Sequence, residues 1–241
     1  MRLFAFHHAG GSAAAFAGWQ RALGPGVEVV AVELPGRGRD GWGARHADTE
    51  SLTAALRGRL GPRLTGPYVF YGHSMGAMVA YRLARSLVES GWTPPERLLV
   101  GAFAAPHLAH VLNEVGSLSD GALADMLIGI SRLPSTASIL LEDPNRLERT
   151  LTLVREDLRV CGDSPRRAPG RPLLPCPIDV FAGADDPLVP VEDAAAWRYY
   201  TTADCTFRAI PGGHFFPRES QDIFFRELGS ALSQVTRAMT R

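Results

Sequence analysis

A serine set between two glycines, directly after an apolar run and directly before a helical one, most constrains this chain: Tyr71-Gly72-His73-Ser74-Met75-Gly76. Pro67-Tyr68-Val69-Phe70 reads as a buried strand, and the stretch from Ala77 to Ala84 reads as the helix that follows it. Ser74 therefore falls at a sharp strand-to-helix turn, the placement that exposes a hydroxyl as a nucleophile. Gly72 and Gly76 have a physical task there. The turn brings two backbones together, and a side chain at either position would crowd the neighbouring strand or helix. Taken alone, the pentapeptide also fits an ordinary glycine-containing turn, so the reading depends on whether a base and an acid follow it.

With 241 residues, 46% of them hydrophobic, the chain can bury one sizeable core, and a single domain over residues 1–241 is the economical organisation. Cys161, Cys176 and Cys205 have no CxxC spacing, and an odd number closes no disulfide framework, which points to a reducing, cytoplasmic setting. The first residues enter a strand through Arg2-Leu3-Phe4-Ala5-Phe6 with no signal-peptide pattern, and no stretch is long and apolar enough to span a membrane. Every basic residue other than histidine is arginine. The absence of lysine excludes Schiff-base chemistry on lysine and a lysine-dependent phosphate loop. Basic and acidic residues balance at 25 each and the arginines are scattered, whereas nucleic-acid binders concentrate positive charge on one surface. The sequence sets no oligomeric state, and a monomer fits it.

Strand-like segments recur at Leu3 to Phe6, Val27 to Val32, Tyr68 to Tyr71, Leu98 to Phe103, Ile178 to Ala182 and Cys205 to Ile210, with helix-like segments between most of them. This rhythm predicts an α/β fold with a mostly parallel central sheet. Thr49-Glu50-Ser51 opens a helix through Leu52, Leu56 and Leu60, and Ser220-Gln221-Asp222 leads into a terminal helix carrying Leu228 and Leu232. From about residue 104 to 172 the rhythm changes to a polar-rich, mainly helical insertion, read as a lid, with an ordinary packed helical excursion as the plainer alternative. Within it Asn145 is expected to cap a helix whose Leu147, Leu151, Val154 and Leu158 share one side. Asp163 to Pro172 is the polar return linker.

A serine hydroxyl needs a base, itself oriented by an acid. The strand at Ile178 to Ala182 runs into Gly183-Ala184-Asp185-Asp186-Pro187, and the strand at Cys205 to Ile210 runs into Pro211-Gly212-Gly213-His214-Phe215-Phe216. Ser, Asp and His thus follow in the chain order of a nucleophile-elbow hydrolase. His214 is the expected general base. Asp186 is the preferred acid, with Asp185 beside it as the alternative. His46, His73, His107 and His110 are read as packing or local hydrogen-bonding residues, with His107 and His110 also candidates for the lid side of a pocket. No His and Cys spacing makes a zinc set, so no metal is expected. The first strand ends in His7-His8-Ala9-Gly10-Gly11-Ser12. Backbone N–H groups there can stabilise an oxyanion, with Met75 N–H as one donor and Ala9 N–H, or alternatively Gly10 N–H, as the other.

Together these segments resemble the stand-alone type II thioesterases of polyketide and nonribosomal peptide synthases, over nearly the whole chain. The resemblance rests on Phe6 to Ser12, on Glu33-Leu34-Pro35-Gly36-Arg37-Gly38-Arg39, on Gly72 to Ala77 and on Pro211 to Phe216. It implies an α/β-hydrolase fold with an inserted helical lid. It also implies Ser74 as nucleophile, Asp186 as acid, His214 as base, and Met75 with Ala9 as oxyanion donors. The implied substrate is an acyl group on the phosphopantetheine arm of an acyl or peptidyl carrier protein. Removing it clears misprimed or stalled chains, and because the arm belongs to the partner, the enzyme needs no cofactor of its own. Arg37 and Arg39 are candidates for meeting carrier acidity or phosphate, with exposed structural arginines as the alternative. The loop Arg39-Asp40-Gly41-Trp42-Gly43-Ala44-Arg45 is more glycine-rich than in many relatives. A small-molecule serine esterase uses the same triad, and a carrier-binding module without catalysis is the remaining alternative class.

Overall fold

Strands β1 (Arg2–Phe6), β2 (Glu28–Val32), β3 (Tyr68–His73), β4 (Arg97–Gly101), β5 (Ile178–Gly183) and β6 (Cys205–Ile210) make one sheet in the order β2-β1-β3-β4-β5-β6. Every neighbouring pair is parallel. The computed structural model describes residues 1–37, 46, 48–108, 111–131, 143–161 and 173–239. Strands β3 and β5 are buried at every residue, as expected where a parallel sheet is covered on both faces. The fully buried Asp179 on β5 is ion-paired by Arg97 from β4 and Arg208 from β6.

Alternation along the strands sends side chains to two cores. Phe4, Phe6, Val30 and Phe70 pack on one face against helices α2 (Thr49–Leu60) and α3 (Met75–Glu89), with Leu56, Met78 and Leu83 fully buried. Leu3, Ala5, Val69, Tyr71 and Phe181 pack on the other face. There they meet Trp19 of the short α1 (Trp19–Leu23) and Phe224, Leu228 and Leu232 of the terminal helix. The α2 start is capped by Asp48, whose carboxylate accepts the Ser51 N–H at 2.8 Å.

Between β4 and β5 come α4 (Val111–Ser117), α5 (Asp120–Ser131) and α6 (Pro144–Cys161), the mainly helical stretch that the sequence anticipates. Leu151, Val154 and Leu158 of α6 close on Val115, Leu123 and Ala124 to form a third, separate core. The expected cap at Asn145 is corrected: Asp143 accepts the N–H groups of Asn145 and Arg146 at 3.0 and 3.2 Å. Pro144 explains the shift, since proline is suited to the first helical position and lacks an N–H, which makes the residue before it the cap. The return linker from Asp163 to Pro172 lies outside the described residues. Helix α7 (Val191–Ala195) follows β5, α8 (Phe216–Glu219) follows the loop after β6, and α9 (Gln221–Met239) closes the described chain. Among the described residues no helix is long and apolar enough to cross a membrane.

Where β3 passes into α3, a methyl group on Gly76 would sit on the backbone carbonyls of Phe6 and His7, and one on Gly72 on the backbone of Gly76 and Ala77. No side-chain rotation relieves a clash with backbone. Gly76→Ala is therefore expected to lower the unfolding free energy by at least about 3 kcal/mol. Urea denaturation checks this, and an unchanged midpoint contradicts the close packing of β1 against α3.

Candidate active site

Ser74 stands between β3 and α3 at φ 54° and ψ −125°, a left-handed conformation costly for a non-glycine residue. Two backbone bonds hold it: Ser74 N–H donates to Gly101 O at 2.8 Å, and Ala77 N–H donates to Ser74 O at 2.8 Å. The neighbouring Ala102 is also left-handed, at φ 50°, and its N–H donates to Phe181 O at 2.9 Å. The end of β4 is thereby bent beside the serine.

The loops after β5 and β6 bring the acid and the base to it. A methyl group on Gly183 would sit on the Gly213 carbonyl, so the two loops touch through backbone. His214, 4% exposed, places Nε2 at 3.0 Å from Ser74 Oγ and Nδ1 at 2.8 Å from Asp186 Oδ2. A carboxylate only accepts, so Nδ1 carries the proton and Nε2 is left to accept from the serine hydroxyl. The other Asp186 oxygen accepts the Leu188 N–H at 2.9 Å, and the carboxylate is fully buried. Asp185, the alternative acid, is exposed, and its N–H donates to Gly212 O at 2.9 Å. It fastens the acid loop to the histidine loop.

Around this relay lie three neutral imidazoles. His73 donates from Nε2 to the His214 carbonyl at 2.9 Å, and its Nδ1 accepts from Tyr71 Oη at 3.1 Å. Burial holds its pKa well below 6.5. His7 and His8 each donate from Nδ1 to the carbonyl of the following residue, both at 2.9 Å. Burial, the largest cause, lowers His7 from 6.5 to about 3 and His8 from 6.5 to about 4. Met75 is the first residue of α3, so its N–H has no partner one turn back in the helix. Gly10 N–H is already engaged, donating to Asp157 Oδ2 at 2.7 Å.

The thioesterase-domain family profile matches residues 1–232. The thioesterase PikA5 of Streptomyces venezuelae is 34% identical over 217 residues, 90% of this chain and 75% of its own length. Among solved structures, the RedJ thioesterase from the prodiginine biosynthetic pathway in Streptomyces coelicolor is 37% identical with a TM-score of 0.84, covering 95% of this chain and 84% of that one. The type II thioesterase BorB from the borrelidin biosynthetic cluster is 33% identical with a TM-score of 0.80, covering 95% and 91%. The chain belongs to the type II thioesterases. It is a hydrolase of thioesters with the α/β-hydrolase fold.

The thioesterase carries a cavity of about 210 Å³ over Ser74 and His214. Ala9 and Phe103 form its sides, and Leu127 and Ile130 of α5 and Val154 and Leu158 of α6 cover it. This mostly aliphatic lining suits an apolar chain rather than a charged head group. Arg218, exposed at the cavity's edge, lies over the Phe215 ring at 5.7 Å. Among the described residues no cluster of three or more His, Cys, Asp or Glu side chains is arranged to hold a metal ion.

Several sequence expectations change place. Arg37 is neither an exposed structural arginine nor a free contact for a partner: it is 8% exposed and ion-paired with Asp157. Arg39 and His110 lie outside the described residues. His107 does not line the cavity; it stacks on Tyr200 with ring centres 5.7 Å apart and shares a 2.9 Å hydrogen bond with its hydroxyl. His73, expected to pack or hydrogen-bond locally, does bond Tyr71 two residues back on the same strand face, and it also reaches the distant His214 carbonyl and pins that loop.

The imidazole pKa values set a pH dependence. A histidine lowered in the folded state stays neutral there while the unfolded chain takes up its proton near pH 6.5, so stability is lost as pH falls below that value. For His7 the loss continues down to about pH 3. In urea titrations His7→Asn, which keeps a donor near the His8 carbonyl, is expected to flatten the slope of stability against pH between pH 6 and pH 4 by about 1.4 kcal/mol per pH unit. An unaltered slope contradicts a buried neutral His7.

Proposed function

We propose that the thioesterase hydrolyses acyl groups from the phosphopantetheine arms of acyl or peptidyl carrier proteins, clearing misprimed or stalled chains from a biosynthetic assembly line. The observation that carries this reading is the Asp186–His214–Ser74 hydrogen-bond relay opening onto an aliphatic cavity in a type II thioesterase. BorB and RedJ are described in a biosynthetic cluster and pathway, which supports the same setting for this chain. A cytoplasmic place of action fits the free thiols of Cys176 and Cys205.

In the mechanism, His214 Nε2 takes the Ser74 proton as Oγ attacks the thioester carbonyl. Asp186 keeps the imidazole in the required tautomer and stabilises the imidazolium that forms. The Met75 and Ala9 N–H groups receive the developing oxyanion, and the engagement of Gly10 N–H by Asp157 favours Ala9 over Gly10 for the second position. The carbon–sulfur bond breaks, His214 returns the proton to the departing pantetheine thiol, and the acyl group stays on Ser74. His214 then draws a proton from water, whose oxygen attacks the acyl-serine; the collapse releases a carboxylic acid and restores the hydroxyl. The arm belongs to the carrier, so the enzyme brings no cofactor of its own. Helices α4 to α6, within the stretch from about residue 104 to 172 of one domain, act as the lid over the acyl chain.

Two measurements test this. Ser74→Ala is expected to lower kcat on an acyl-carrier substrate by at least about 10⁴-fold, and turnover within tenfold of the parent enzyme sinks the nucleophile assignment. For one acyl group, kcat/KM is expected to be higher on the carrier than on the matching N-acetylcysteamine thioester. Equal values, or a preference for small oxygen esters, favour a small-molecule esterase.

A further inference from the structure

Asp157 and Arg37 form a buried ion pair outside the relay, each 8% exposed and 120 residues apart in sequence. The pair is not self-contained. Asp157, on α6, spends one oxygen on Arg37 and the other on Gly10 N–H at 2.7 Å, while Arg37 donates its second nitrogen to Gly11 O at 2.5 Å. A helix of the covering excursion and the stretch after β2 thus close on two consecutive residues of the loop after β1. The approach is tight. Gly10 has φ +72°, and a methyl group there would lie 2.7 Å from Val154 Cγ2, one turn before Asp157 on α6.

Peptide planarity makes this consequential for Ala9. The plane joining Ala9 to Gly10 is held at both ends: its carbonyl accepts from His8 Nδ1 at 2.9 Å and its N–H donates to Asp157. The plane before it, which contains the Ala9 N–H, is held by the His8 carbonyl, which accepts from His7 Nδ1 at 2.9 Å and Gly11 N–H at 3.0 Å. Met75, which supplies the other proposed oxyanion donor, lines one small cavity together with Arg37 and Asp157. Of these restraints, the one from Asp157 reaches in from α6.

We propose that Asp157, held by Arg37, is a positioning residue that locks the oxyanion loop, so that the Ala9 N–H takes its donor direction only when α6 is seated over the cavity. The proposal rests on Ser74 and Ala9 acting as proposed above. It makes closure of the helical cover and completion of the oxyanion site one event.

The test is steady-state kinetics on an acyl-N-acetylcysteamine thioester, which reads Ser74 chemistry without carrier docking. Asp157→Ala is expected to lower kcat by about 10- to 100-fold with KM within about twofold, and to slow fluorophosphonate labelling of Ser74 by the same factor. Asp157→Asn, whose amide oxygen can still accept from Gly10, is expected to stay within about fivefold of the parent kcat. A purely structural role would lower the melting temperature while leaving kcat of the labelled, folded fraction unchanged; that result, or a rise in KM alone, overturns the proposal. Should Asp157→Ala not fold, hydrogen exchange at the Gly10 amide of the unaltered enzyme and of Asp157→Asn decides. Protection in both supports the lock, and exchange at the rate of an unstructured loop refutes it. Because the exchange measurement needs no turnover, an inactive parent enzyme would count against the thioesterase mechanism and leave the lock to be judged by protection.

Discussion

The contact on which the site depends is the backbone-to-backbone approach at Gly76, where the start of α3 lies against the carbonyls of Phe6 and His7 at the end of β1. That single approach sets two things together. It places the helix start directly behind Ser74, and it lays the chain leaving β1, with His8 and Ala9, alongside Met75. The two backbone N–H groups proposed to receive the oxyanion therefore come from segments that glycine has brought into contact, rather than from loops that must find one another. Gly72, crowded in turn by Gly76 and Ala77, extends the same constraint to β3, and Ser74 is left in a strained conformation that its bonds to Gly101 and Ala77 hold in place.

Electrostatics sharpen what packing begins. His7, His8 and His73 are kept neutral by burial, and each spends an N–H on a backbone carbonyl. His214, by contrast, faces the buried Asp186 carboxylate through Nδ1 and the serine through Nε2. Of these four rings, His214 is the one hydrogen-bonded to a carboxylate, the geometry that stabilises the imidazolium the mechanism requires. His73 adds the mechanical half of the arrangement, since it holds the carbonyl of the residue whose ring must stay aligned.

Much of this is legible in the chain because it is local. The alternation in β1 and β3, the glycines flanking Ser74 and the order Ser74, Asp186, His214 are properties of short segments, and they suffice for the α/β sheet and for the residues that meet at its edge. What escapes the sequence depends on partners far along the chain. Arg37 looks like a surface residue until Asp157 is brought to it, and neither residue carries a local mark of the other. The preference for Asp186 over Asp185 as the acid agrees with the geometry, in which the loop turns the Asp186 carboxylate inward to His214 and leaves Asp185 exposed. The helix cap is a local exception: it lies at Asp143 rather than Asn145 because Pro144 fits the first helical turn.

The central claim is that Ser74 carries the acyl group between the carrier arm and water. Intact-mass spectrometry of the enzyme mixed with an acylated carrier protein and quenched within the first turnovers tests it most directly. The account predicts a species heavier by one acyl group less one proton, mapping to the peptide that contains Ser74 and lost on longer incubation. Release of the free acid with no such adduct at any quench time, together with undiminished release by Ser74→Ala, would contradict it.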